Sequence, residues 1–138
     1  MRTAVRFFSK LGNTRKIAEA LAEGAGTKAV SVADEPQLNE YVDILFLGGA
    51  PYANIMAPEL RAYARGLSAD FVGRVALFTT SNWSRRTVRA LRKILREKGI
   101  PVESGYFYAH MTRIKARTGP AREFAKDIIL KIEKGKNK

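Results

Sequence analysis

The sequence predicts one α/β domain spanning residues 1–138, a three-layer sandwich whose five-stranded parallel sheet, in the order 2-1-3-4-5, carries helices on both faces. Three observations predict it. Short apolar runs alternate along the chain with stretches of helical period, the pattern of strand–helix–strand units around a parallel sheet. The run Val42 to Leu47 (VDILFL) is apolar almost throughout, as an interior parallel strand is. The length of 138 residues suits five strands better than the six of a dinucleotide-binding sheet.

The elements follow in order. Thr3 to Phe8 (TAVRFF) reads as the first strand, although Arg6 fits poorly in a strand covered on both sides; the reading available from sequence is a side chain snorkelling at a strand end. Thr14 to Glu23 reads as a helix whose apolar stripe is Ile17, Ala20, Leu21 and Gly24. Lys28 to Val32 is a weak second strand and Val42 to Leu47 the strong third. Ala57 to Leu67 reads as a helix with Pro58 in its first turn. Val75 to Thr80 is the fourth strand. Ser84 to Lys98 is the clearest helix, with Val88, Leu91 and Leu95 on one face and Gly99 as its stop. Val102 to Ala109 is the fifth strand, and Ala121 to Lys134 the closing helix.

Composition narrows the function. There are no cysteines, so disulfides, thiolate metal sites and cysteine-ligated clusters are excluded. The N-terminal segment lacks a secretory pattern, and the apolar run at Ile44 to Pro51 is too short to span a bilayer, so the expectation is a cytoplasmic protein without membrane insertion. The net charge is +12. Residues 84–138 carry 16 Lys/Arg against 5 Asp/Glu, whereas residues 1–83 carry 9 against 8. That concentration on the last two helices is either a solubilising surface or a face for acidic proteins, phosphate backbones or anionic membranes. His110 is the only histidine and is read as structural. No catalytic triad or converging carboxylate pair is apparent, so catalysis by side-chain acid–base chemistry is not expected.

A doubly wound sheet binds ligand beyond the carboxyl ends of its strands, which directs attention to three loops. The first, Ser9-Lys10-Leu11-Gly12-Asn13-Thr14, has a glycine, terminal hydroxyls and a helix start, the parts of a phosphate cradle. The bland alternative is a helix start capped by Asn13 or Thr14. The segment FFSKLGNTRKIAEAL resembles the phosphate-binding segment of flavodoxins, matching at Ser9, Gly12, Asn13 and Thr14 and departing at Leu11, where a hydroxyl residue is usual. The second loop, with Ala50, Pro51, Tyr52, Ala53 and Asn54, resembles the family segment after strand three; the resemblance implies that Tyr52, or less directly Met56, lies against the flavin. The third, Thr79-Thr80-Ser81-Asn82-Trp83, resembles the segment after strand four and implies that Trp83 stacks on the isoalloxazine ring. There Thr79 and Asn82 stand in place of family glycines.

The resemblance implies a flavodoxin-like, FMN-binding electron-transfer protein shuttling between redox partners. Arg85 and Arg86, two and three residues after Trp83, imply a second reduction potential less negative than acidic surroundings give. A basic flavodoxin should choose partners with acidic docking surfaces. Three other readings compete. An FMN-free module could use the basic helices on an acidic partner or nucleic acid, although these helices lack interleaved aromatics and a recognised nucleic-acid motif. A flavoprotein partner of manganese ribonucleotide reductase would carry more consecutive glycines in the second loop. A quinone or azo reductase would be longer.

Overall fold

The computed structural model describes residues 1–52 and 55–136. In chain order the elements are β1 (Thr3–Phe8), α1 (Asn13–Ala25), β2 (Ala29–Ser31), β3 (Val42–Gly49), β4 (Pro51–Tyr52), β5 (Ile55–Met56), α2 (Pro58–Gly66), β6 (Val72–Ser81), α3 (Arg86–Glu97), β7 (Val102–His110) and α4 (Ile114–Lys136). The main sheet is parallel and runs β2-β1-β3-β6-β7, so its five strands in chain order take the order 2-1-3-4-5. β4 and β5 form a separate two-stranded antiparallel ribbon.

Each face of the sheet supports its own core. Leu45, Leu47, Val75 and Leu77 point to the side covered by α2 and α3, where they meet Leu60, Ala64, Val88, Leu91 and Leu95. Ile44, Phe46, Ala76 and Phe78 point to the other side and meet Ile17, Leu21, Ala121, Ala125 and Ile128 of α1 and α4. Successive strand residues face opposite ways, so burial on both sides demands the near-continuous apolar runs of β3 and β6.

Arg6 interrupts this pattern on the α2 and α3 side. It sits within β1 rather than at its end, and its guanidinium donates to Glu35 at 3.3 Å and to the Val5 carbonyl at 3.1 Å. Its Nε and the buried Tyr63 hydroxyl have no hydrogen-bond partner among the described residues. Burial pushes the Tyr63 phenol above its ordinary value, against the opposing pull of the Arg6 charge. An unsatisfied buried hydroxyl costs stability. Tyr63→Phe is therefore expected to raise the free energy of unfolding by about 1 kcal/mol in urea denaturation. The parent should also lose stability above about pH 10, because the unfolded chain releases that proton while the folded chain holds it; the variant should show a shallower decline.

The last helix differs from its expected span. It begins at Ile114, not Ala121, and carries Pro120 in its interior. Gly119-Pro120 reads as a breaker in sequence. The first turn is nonetheless helical because Ile114 is buried in the α1 and α4 core and Arg117 ties both Nε and Nη2 to the Tyr108 carbonyl. Tertiary anchoring overrides the local propensity.

Candidate functional site

The loops after β1, β3 and β6 meet at the carboxyl edge of three adjacent strands, and hydrogen bonds join them. The Lys10 amide donates to the Tyr52 hydroxyl at 2.7 Å, linking the first loop to the second. The Lys10 ammonium lies 4.7 Å from the centre of the same ring, and Phe8 meets that ring edge-on. Thr14 and Thr80 share a buried hydroxyl hydrogen bond of 2.7 Å, linking the start of α1 to the end of β6. The buried Thr79 hydroxyl donates to the Gly49 carbonyl at 2.8 Å, tying the end of β6 to the end of β3.

The first loop forms an open helix start. Gly12 occupies the N-cap with φ 87°, a left-handed conformation that favours glycine, and no side chain caps the helix. Neither Asn13 nor Thr14 serves as the cap. The Gly12 amide donates to Ser9 Oγ at 3.0 Å, and the first helical bond runs from Lys16 to the Gly12 carbonyl at 3.3 Å. The amides of Asn13, Thr14 and Arg15 thus have no protein acceptor among the described residues. A Cβ on Gly12 would meet nothing within 4 Å, so it is the left-handed backbone and not crowding that favours glycine there. This donor set fits a phosphate: three free amides, the Ser9 hydroxyl proton, the Lys10 charge and the helix dipole.

The third loop is held by a residue that sequence reading passed over. Trp83 adopts φ 74°, a strained value for a side chain of its size, and it alone among the described non-glycine residues has a positive φ. Its amide donates to the Tyr108 hydroxyl at 2.9 Å, and that hydroxyl donates to the Ser81 carbonyl at 2.9 Å. Tyr108 thereby clamps both ends of the turn. Ser81 Oγ closes it further by donating to the Ser84 carbonyl at 2.8 Å. The Trp83 ring lies 4.8 Å from the His110 ring, tilted by 58°. His110 Nδ1 lies 3.2 Å from the Thr112 amide and 2.8 Å from the Thr112 hydroxyl, which hold the ring in place. The only signal for Tyr108 and His110 in the sequence was their place at the carboxyl end of a strand beside the switch point.

The structure therefore brings together Ser9, Lys10, Gly12, Thr14, Tyr52, Thr79, Thr80 and Ser81, each held by a hydrogen bond at this edge, with Asn13 at the start of α1 beside them. Ala50 is buried, Pro51 half-buried and Asn82 exposed, each on one of the same loops. Met56 is buried in the core and offers no free face. Ala53 and Asn54 lie outside the described residues. Arg85 is half-buried over the rings of Tyr108 and Tyr106, at 4.7 and 5.6 Å, whereas Arg86 is exposed. Three large apolar side chains stand in solvent on these loops: Leu11 at 76% exposure, Ile55 at 58% and Trp83 at 74%.

Among the described residues no helix is long and apolar enough to cross a membrane, and no cluster of metal-ligating side chains occurs. No sequence-family model and no curated protein matches the chain. Solved structures do. A flavodoxin from the domain Archaea superposes with a TM-score of 0.75 at 18% identity, covering 96% of this chain and 99% of that one. Flavodoxin 2 from Bacillus cereus gives 0.69 at 17% identity, with 91% and 95% covered. The Fusobacterium nucleatum flavodoxin bound to flavin mononucleotide gives 0.66 at 18% identity, with 98% and 99% covered. Strand order, layer arrangement and these near-complete superpositions establish that the chain has the flavodoxin-like fold.

Proposed function

We propose that the chain is an electron carrier that binds FMN at the carboxyl edge of β1, β3 and β6. The observation that carries this reading is the hydrogen-bonded meeting of the three segments, with open first-turn amides on one side and the solvent-facing Trp83 ring on the other. The amides of Asn13, Thr14 and Arg15, with Ser9 and Lys10, hold the phosphate. Tyr52 and Trp83 flank the ring system, and their apolar faces exclude water from it. The bound flavin supplies reversible uptake and release of electrons, which no side chain of this chain can provide. Side-chain work is then limited to three tasks: orienting the ligand, setting its electrostatic surroundings and leaving one edge open to a partner. Tyr108 contributes by holding the 81–83 turn in a single conformation, which spares the site an ordering cost on binding.

The test is a titration of the purified chain with FMN, followed by flavin fluorescence and by emission of Trp83, the sole tryptophan. Saturable quenching of both signals at a dissociation constant of about 1 μM or below is expected. Absence of binding at about 100 μM FMN would overturn the reading and leave the loops as a scaffold.

A further inference from the structure

The cations of α3 are not alike. Arg92 is tied down, its guanidinium donating to the carbonyls of Glu103 and Ser104 at 3.2 Å each. Arg85 is half-buried over two tyrosine rings. Arg86, Arg89, Lys93 and Arg96 are different: all four are exposed, and none of their side chains has a hydrogen-bond or ion-pair partner among the described residues. At spacings of three and four residues they share one helix face, and 1.5 Å per residue makes the stripe about 15 Å long. Like charges so placed repel, so the stripe weakens the helix that carries it. Glu97, the one carboxylate on α3, pairs with none of them among the described residues. The stripe begins three residues after Trp83 and so runs away from the loop rim, where Leu11, Ile55 and Trp83 expose apolar surface.

We infer that this rim and the Arg86–Arg89–Lys93–Arg96 stripe form one docking surface for an acidic redox protein, an inference that rests on the carrier function proposed above. Charge complementarity sets the sign: the partner presents a row of carboxylates to α3 and an apolar patch to the rim. The position sets the class. Whatever occupies the stripe adjoins the edge through which electrons pass, and a polynucleotide accepts none. α3 also contains no aromatic residue on which bases could stack. An encounter of this kind is small and transient, dominated by association rate and sensitive to salt.

The experiment uses two electron acceptors that share one haem, native cytochrome c, which is basic, and its fully succinylated form, which is acidic. The photoreduced FMN-loaded chain is mixed with each at low ionic strength and at about 0.5 M salt. Reduction of the succinylated form is expected to be at least tenfold faster at low salt, with the preference lost at high salt. Replacing Arg86, Arg89, Lys93 and Arg96 together by Gln should abolish most of that preference. A control with Gln at Lys16, Lys28, Arg65 and Lys134, all exposed and outside the stripe, should retain it. Equal loss in both variants, or no preference in the parent, overturns the inference. So does tighter binding of an oligothymidylate than of succinylated cytochrome c, if the stripe variant loses it, because the surface would then serve nucleic acid. If FMN does not bind, the carrier reading fails by itself. Docking is then read on the apoprotein from quenching of Trp83 emission by the succinylated haem protein, with the same two variants deciding it.

Discussion

Ser9→Asp is expected to weaken FMN binding about 100-fold while leaving riboflavin binding within about threefold, a difference near 3 kcal/mol. The Ser9 side chain already accepts the Gly12 amide at 3.0 Å, and a carboxylate can accept the same bond, so the turn survives the change. What changes is the charge facing the open amides of α1. A carboxylate there occupies the donors the phosphate needs and repels it; at about 5 Å and an effective dielectric near 20, one pair of unit charges costs about 3 kcal/mol. Riboflavin has the same ring system without the phosphate and serves as the internal control. Parallel titrations of both ligands by flavin fluorescence check the prediction. Equal weakening of the two would mean that the loop had rearranged, and unchanged FMN affinity would place the phosphate elsewhere.

Gly48→Ala is expected to destabilise the chain by about 3 kcal/mol or more. Gly48 pairs with Phe78 on the adjacent strand, and a Cβ on it would collide with the Phe78 carbonyl and ring. Neither can give way, because β3 and β6 are both interior strands and Phe78 is fully buried between the sheet and the α1 and α4 layer. Gly66→Ala is the matched control: nothing lies within 4 Å of its Cβ position, and it is expected to be neutral within about 0.5 kcal/mol. Urea unfolding followed by far-ultraviolet circular dichroism measures both. A loss below about 1 kcal/mol for Gly48→Ala would contradict the close approach of β3 to β6 described above.

The sheet was legible because its rules are local. VDILFL in β3 and VALFTT in β6 are apolar at consecutive positions, and only strands covered on both faces need that. The element boundaries were less so. α4 starts seven residues before its expected first residue, since the burial of Ile114 and the tie of Arg117 to Tyr108 offset a Gly-Pro pair that reads as a stop. Arg6 looked misplaced because no neighbour in sequence explains it; Glu35, 29 residues away, does. In the site, the loops themselves could be located by their order after the strands, but the use of each hydroxyl could not. Thr14, Thr79 and Thr80 spend hydroxyl bonds on neighbouring elements, which ties α1, β3 and β6 together at this edge.

By itself the sequence determined the layer order, the strands that are buried on both sides, the three loops at the carboxyl edge of the sheet and the sign of the charge on the last helices. Each of these follows from periodicity, composition or chain order, and they are properties of short segments. Only the tertiary structure decided which cations are free. Arg92 and Arg86 are indistinguishable as residues of a basic helix, yet one is spent on the β7 carbonyls and the other faces solvent. Tertiary structure likewise decided that Tyr108 governs the Trp83 turn from 25 residues away. The physical reason is the same in both cases. Hydrogen bonds between segments distant in the chain depend on where the sheet puts the two partners, and no local pattern encodes that distance.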